Sequence, residues 1–598
     1  MDVYTEPPSN IYITGKLFKF PCEGGDVLAI SVSNSFALLL SAVYAILTIY
    51  LSTALWNVLV YVVMLTARQE RAMAWNLVLS IFWNSAEPVV AFSNLFTTSN
   101  RLLRRDSSSG LKDPSVRLGI KLMIFSFLIA GGSITGGILI PSQLSLGSVA
   151  PVNPISVYIP GTATQQSMGT SIRMGMLNKP ATIRALGSAE ASKVTLRNRV
   201  HVYQEGTDAS TDNKPDFTIK YSYNFTGVEL GLPHSLGLFH TVKGKCWTDY
   251  SWLRHEPGNS TLKMDYYDHW NLGNNKSQSF VHGANSLNVN HQLGVTGAVH
   301  PDLVADADLV ANPPSNMSYA ILYSTAHLAS TTESNDAMYQ TELMPTSYPL
   351  RNIYPFRIRA ERPALSCWQS SEFCVHGQCN SLNDIAKKNP PTLPPATILT
   401  LSRIATPVIV RITNAMGPSS LMSFYGPQPG SSVDAGGSSA IADFERMIMG
   451  AYLLSRNLFR DTAMATPVDG FTNMILNAKN QPHEGTGNFV IESGLVTALS
   501  FWWLVALPTA AVLLFLVGVI LGGMVRSVGE GNLRVRPAQR ERMVALSMGQ
   551  LFRRASWRGE EFWTKRFANR MIPVPVDDKE ELGWDSKETN EVEKMDTV

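Results

Sequence analysis

Cys367, Cys374 and Cys379 fall in one short stretch with His376 between them, and Cys246 lies upstream of them in the middle of the chain. Three thiols and an imidazole are a donor set that zinc accepts. In an oxidising compartment the same thiols pair as disulfides, which is the reading favoured here. Four cysteines allow three pairings, and spacing does not choose among them. A bridge closing the long loop back to Cys246 would contribute about 3–5 kcal/mol. Cys22, near the start, is then left over.

Nucleophile chemistry has one foothold. Pro233-His234-Ser235-Leu236-Gly237 approximates the G-x-S-x-G turn of serine hydrolases, but proline replaces the first glycine, and its fixed φ and missing N–H do not suit that turn. A plain turn after the preceding strand explains Ser235 better. His282 and His291, and the group Asp302, Asp306 and Asp308, read as surface loop and solvated face. No His-Glu-x-x-His, Walker or EF-hand pattern occurs. No catalytic, cofactor-binding or metal residue is therefore assigned, and no cofactor is implied.

Two modification chemistries are better marked. The acceptor pattern Asn-x-Ser/Thr occurs at Asn224, Asn259, Asn275 and Asn316, all in the middle of the chain. Arg104-Arg105-Asp106-Ser107 and Arg553-Arg554-Ala555-Ser556 resemble basophilic kinase sites, making Ser107 and Ser556 phosphorylation candidates.

The elements that carry these residues divide sharply by polarity. Of the 598 residues 45% are hydrophobic and only 16% charged, and the charge deficit is concentrated in a few segments. Val27 to Leu65 contains no charged residue. Its dense part, taken as 36–66, exceeds the roughly 20 residues a membrane-spanning helix needs. Residues 118–140 and 495–524 read as two more spans, the last entered past Trp502 and Trp503 in the manner of an interfacial aromatic belt. Residues 72–96 are ambiguous. Asn76, Ser80, Asn84, Glu87 and Asn94 make a polar stripe at helical spacing, and Ser85-Ala86-Glu87-Pro88 reads as a helix stop and restart, with Ser85 as cap. The split favours two interfacial helices within a cytosolic loop, 67–117; a fourth span is the alternative.

Basic flanks orient the chain. Arg101, Arg104, Arg105, Lys112 and Arg117 on one loop, and Arg526, Arg534, Arg536, Arg540 and Arg542 after the last span, belong in the cytosol by the positive-inside rule. Residues 1–35 and 141–494 then lie outside it, which agrees with where the glycosylation patterns and cysteines sit. Gly132/Gly136 and Gly518/Gly522 are small-residue pairs that let helices approach closely, within the chain or in a homo-oligomer. The tail, 525–598, is first basic and aromatic, suited to anionic lipid, then acidic and expected to be disordered. A formal net charge of +2 gives no case for nucleic acid.

Within 141–494, alternating β-branched runs at 216–222, 319–324 and 355–360 predict strands, 396–412 predicts buried strands broken at Pro407, and 438–463 predicts an amphipathic helix. The fold class expected is a membrane protein with three α-helical spans, or four, and a large α+β, sheet-rich ectodomain.

Ser33-Asn34-Ser35-Phe36-Ala37, Trp83-Asn84-Ser85 followed by Glu87-Pro88, Ala130-Gly131-Gly132, and the pairs Cys246-Trp247 and Cys367-Trp368 together resemble uncharacterised multi-pass membrane proteins of filamentous ascomycete fungi. The resemblance implies a fungal multi-pass protein with a big ectodomain, and no activity. Some such proteins are similar to accessory members of secondary-metabolite pathways. The leading expectation is a non-enzymatic membrane glycoprotein with a binding or organising ectodomain, at the plasma membrane or an endomembrane. A membrane-anchored luminal enzyme and a pathway accessory protein are the alternatives.

Overall fold

The computed structural model describes residues 6–67, 73–105, 114–163, 168–205, 214–250, 253–256, 264–268, 279–283, 294–299, 316–325, 328–349, 351–359, 361–388, 392–426, 432–526, 543 and 546–547. The chain forms two compact units, Met1–Val32 with Ser148–Ala498, and Ser33–Gly147 with Leu499–Val598.

The smaller unit is helical. Helix α1, Asn34–Thr66, begins where the Ser33 hydroxyl accepts from Phe36 N at 3.4 Å and at 1.5 Å per residue runs about 50 Å. Helix α2 is Met73–Trp83, α3 is Pro88–Arg105 and α4 is Pro114–Leu144. The last helix, Phe501–Arg526, follows a short strand, Val496–Ser500, so the apolar run that begins at Leu495 is not helical throughout. Among the described residues three helices, α1, α4 and the last, are long and apolar enough to cross a membrane. The stretch 72–96 is indeed broken: α2 has only 11 residues, about 16 Å of helix, and α3 restarts at Pro88, whose missing N–H costs nothing in a first turn. Ser85 is not the cap expected of it, because its hydroxyl donates back to the Ile81 carbonyl at 2.6 Å. Instead the Ser85 carbonyl accepts from Trp56 Nε1 at 2.9 Å. Trp56, Phe82, Leu79, Leu95 and Leu122 form the interior of this unit, while Leu38 and Ile46 on α1 are 73% and 69% exposed. Gly132 and Gly518 have open space around them, and Gly522 faces the Tyr61 hydroxyl.

The larger unit is built on a hairpin and one big sheet. Strands β1 (Leu17–Phe20) and β2 (Val27–Ser33) pair antiparallel. Helix α5, Met168–Ala191, precedes the sheet. Its strands are β3 (Val200–Glu205), β4 (Thr218–Thr226), β5 (Leu238–Asp249), β6 (Gly294–Val299), β7 (Asn316–Ser324), β8 (Ala364–Val375) and β9 (Gln378–Asn380). The order is β6-β7-β8-β5-β4-β3, with β9 folded back on β8, and these pairs are antiparallel. Side chains alternate cleanly on β4 and β5, as a half-buried antiparallel sheet requires, while β7 is buried on both faces from Tyr319 to Tyr323. Ile219, Tyr221, Tyr223 and Phe225 point into the core from β4, and the residues between them do not.

Helix α8, Ala440–Arg456, lies on that inner face, capped by Ser439 accepting from Ala442 N. Phe444 meets Tyr221 edge-on at 5.7 Å, and Tyr452, two turns later, meets Tyr223 at 5.8 Å. Each such buried side chain contributes about 1.5–3 kcal/mol. A Cβ on Gly450 would come within 2.8 Å of Leu186, so glycine lets α5 and α8 cross closely. Helices α6 (Pro395–Ala405) and α7 (Val408–Met416) precede α8, and α9 (Leu458–Ala463) follows it.

Two expectations fail here. Residues 396–412 are helical, not strands; Pro407 does break them, but between α6 and α7. The 438–463 helix is two helices that part at Asn457. Helices α6 and α7, bent by 69°, would also pass for a span if taken as one with the residues that follow. Leu401, Ile404, Val408, Ile409 and Ile412 are instead packed in the core of the larger unit.

Candidate binding face

Alternation turns each Cys-Trp pair into one inward and one outward residue. On β5, Cys246 points into the core and Trp247 out; on β8, Cys367 points in and Trp368 out. Cys246 lies directly opposite Cys367 in the register, and the two form a disulfide. Trp368 therefore sits opposite Lys245, and Trp247 opposite Ser366, on diagonal positions of the outer face. Diagonal neighbours are about 7–8 Å apart, within reach of aromatic side chains.

Glu205, Asp216, Thr218 and Lys245 complete a groove of about 570 Å³ with the two tryptophans. Trp368 is 41% exposed, unusual for so large an apolar side chain on a polar sheet face. Glu205 accepts from Lys220 Nζ at 2.5 Å, and that bond holds its carboxyl below the usual range and the Lys220 ammonium above its own. The Thr248 hydroxyl donates to Asp216. Lys245 forms no close ion pair among the described residues but acts at longer range on Glu205, so the groove carries both signs of charge beside its aromatic surface. Asn224 and Asn316 are exposed on this same outer face, opposite Thr241 and Ser370 in the register. Asn259 and Asn275 lie outside the described residues.

Cys374 pairs with Cys379 across the β8–β9 turn, whose tip is His376 and Gly377 at φ 50° and 80°. All three thiols of the zinc alternative are thus bound to sulfur. Cys367 and Cys374 also point to opposite faces of β8, so they do not converge on one ion. No group of three or more metal-ligating side chains occurs among the described residues. Cys22 is unpaired.

Ser235 lies in the short turn His234–Leu236. Asp26 accepts from His234 N at 2.6 Å and Ser235 N at 3.0 Å, and from the Ser235 hydroxyl as well. Partial burial works to raise the Asp26 carboxyl, but these bonds and Lys19 outweigh it and hold it low. The serine is thus held by a carboxylate that braces a turn. Gly237, read as the end of a nucleophile motif, adopts φ 54° where a Cβ would strike His376 Nδ1 at 2.7 Å. His282 falls in the short strand Ser279–Gly283. His291, Asp302, Asp306, Asp308, Ser107 and Ser556 lie outside the described residues.

Sequence reading missed the tryptophan groove, although its signal was present: two Cys-Trp dipeptides on strands whose cysteines pair must place both tryptophans on the opposite face. It also missed His240, buried between β4 and β8 and stacked on Phe373 at 4.1 Å, where burial pulls its imidazole down to about 3 and keeps it neutral.

No curated protein and no solved structure matches this chain. The family described as Domain of unknown function (DUF8406) matches residues 179–491, from α5 through the whole sheet and its helices and over more than half of the chain's length. The chain belongs to the DUF8406 family.

Proposed function

We propose that this is an integral membrane glycoprotein whose larger unit lies outside the cytosol and binds a ligand in the Trp247–Trp368 groove. The groove carries the binding reading. Two outward aromatic rings offer flat apolar surface, and Glu205, Asp216, Thr218 and Lys245 offer donors and acceptors around it, a combination that suits the C–H faces and hydroxyls of a sugar ring. The exposed apolar flanks of α1, α4 and the last helix support insertion, since hydrocarbon accepts what water does not. The basic flanks, the disulfides and the exposed acceptors Asn224 and Asn316 support the sidedness. The resemblance to fungal membrane proteins supports a filamentous ascomycete plasma membrane or endomembrane as the setting.

Titration of the full chain in detergent with a panel of neutral and acidic oligosaccharides, followed by tryptophan fluorescence, tests the groove. A saturable change is expected for at least one sugar, weakened about five- to tenfold in Trp368→Ala, as removal of a stacking surface of about 1–1.5 kcal/mol requires. No saturable response to any sugar, or equal affinity in the variant, would overturn the reading. Sidedness has its own test. Glycosidase treatment should shift the mobility of the expressed protein, and the shift should vanish when Asn224, Asn259, Asn275 and Asn316 are all changed to Gln. Digestion of the larger unit by protease confined to the cytosolic side of sealed vesicles would place it in the cytosol instead.

A further inference from the structure

Helices α6 and α7 meet at Thr406–Pro407, and their 69° bend brings Arg403 and Arg411 together although eight positions separate them. The Arg411 guanidinium donates to the Arg403 carbonyl. Arg403 Nη2 donates to Asn178 Oδ1, a neutral acceptor, at 3.0 Å. The nearby carboxylate, Asp461 on α9, is already engaged by Arg184 at 2.6 Å. Arg460, next to Asp461 in sequence, adds a further positive charge acting on it. Neither Arg403 nor Arg411 forms an ion pair with a carboxylate among the described residues.

Both guanidiniums line a cavity of about 40 Å³, walled also by Leu454, Thr462 and the Asp461 carboxylate that Arg184 engages. One water needs about 10–15 Å³ of such room, so a group of several heavy atoms fits. Burial presses the Arg411 guanidinium down to about 9, and the like charge of Arg403 adds to it; burial lowers Arg403 too, with Asp461 opposing. Guanidinium does not give up its proton in proteins. Asp461 is the one carboxylate among the described residues of this wall and it is shared among Arg184, Arg403 and Arg460, so the two buried guanidiniums call for a further negative charge. The forked N–H groups of arginine match the oxygens of a phosphate or carboxylate, and two forks match a dianion best.

We propose that this cavity is an anion site, which holds a phosphate-type oxyanion on Arg403 and Arg411 in the core of the larger unit. It is independent of the tryptophan groove, since Arg403 and Arg411 lie on α6 and α7 and the groove on the outer face of β5 and β8.

The test uses the full chain in detergent, prepared without phosphate and held at constant ionic strength. Inorganic phosphate, acetate and chloride are titrated separately, and thermal unfolding and titration calorimetry are recorded. Phosphate is expected to raise the unfolding midpoint saturably, as a ligand specific to the folded state does, and chloride is not. In Arg411→Gln the half-saturating phosphate concentration should rise at least about tenfold, as loss of a charge-assisted bidentate contact implies. Without phosphate, Arg411→Gln should be no less stable than the parent, because it removes an uncompensated charge; an arginine that merely braces the corner would instead leave its variant weaker. If Arg411→Gln does not fold, Arg403→Lys, which keeps the charge and loses the fork, serves in its place with the same expected weakening. Saturation by acetate and not by phosphate would overturn the dianion assignment, and no saturable response to any anion would overturn the site.

Discussion

Changing Cys246 and Cys367 together to alanine should lower the stability of the larger unit by about 5 kcal/mol, the loop-entropy value for a bridge of this span. The two residues are 121 apart in sequence, so the bridge removes a large set of open conformations from the unfolded chain. Domain stabilities are themselves only about 5–15 kcal/mol, so this one bond accounts for a third of the stability or more. Its position adds to the effect: Cys246 and Cys367 are fully buried beneath the sheet, beside the Tyr319 hydroxyl. The second bridge provides the control. Cys374 and Cys379 are separated by only 5 residues, and the same relation gives about 2 kcal/mol for their removal. Denaturant unfolding of the full chain in detergent, for each double variant under non-reducing conditions, reads both numbers. Equal losses would show that local packing rather than chain entropy sets them. Expression in a reducing compartment should reproduce the larger loss without any mutation, which ties the stability of this unit to the redox state of its surroundings.

Much of this architecture is legible in the residues because two patterns are strong. Strand β4 alternates apolar and polar, and its inward Ile219, Tyr221, Tyr223 and Phe225 are where period two puts them; β7 is legible instead as a short β-branched and aromatic run. The apolar helices are legible because no other common structure accommodates so long an uncharged run. The misreading of 396–412 has a definite cause. Thr397, Ile398, Thr400, Ile404, Val408, Ile409, Val410 and Ile412 are β-branched, and propensity reads them as strand. In the fold they sit in two short helices buried almost all round, where tertiary packing outweighs the few tenths of a kcal/mol per residue that propensity contributes. Pro395 at the first turn of α6 was the available sign. The candidate sites are less legible than the elements. Disulfide partners cannot be deduced from spacing, and the tryptophan face depends on knowing that Cys246 pairs with Cys367. The arginine pair is hidden further: on a straight helix Arg403 and Arg411 would lie about 12 Å apart along the axis, and only the bend at Pro407 makes them neighbours.

Asp443 should show the second large effect, and its sign depends on pH. This carboxylate is fully buried in the first turn of α8. It accepts from Tyr339 Oη at 2.6 Å, Ser423 N at 2.7 Å and Ser423 Oγ at 3.0 Å. Asp443→Ala leaves all three donors without their acceptor inside the core, so a loss of about 3–5 kcal/mol is expected near pH 5. Asp443→Asn keeps one acceptor oxygen and replaces the other by a donor that the two hydroxyls can turn to accept, and it should cost far less. The charge itself is a burden. Burial raises the Asp443 carboxyl from 3.8 to about 6; the Tyr339 and Ser423 bonds oppose the rise, and Asp336 adds to it. The other titratable groups near it are Asp336, itself raised by burial, and Tyr323 and Tyr339, raised by burial too and neutral throughout this range. Between about pH 4 and pH 6 the folded state therefore binds more protons than the unfolded chain, and stability must fall as pH rises through that window, by about 2–3 kcal/mol for a shift of this size. Below it the contribution is fully present; above it the loss is complete and the curve flattens. Asp443→Asn should remove most of that slope and make the protein more stable than the parent at pH 7, leaving only the smaller slope from Asp336. Unfolding midpoints of parent and Asn variant measured from pH 4 to pH 8 decide it. Parallel curves would mean that Asp443 ionises in the core at its ordinary value, and that its three donors compensate its burial in full.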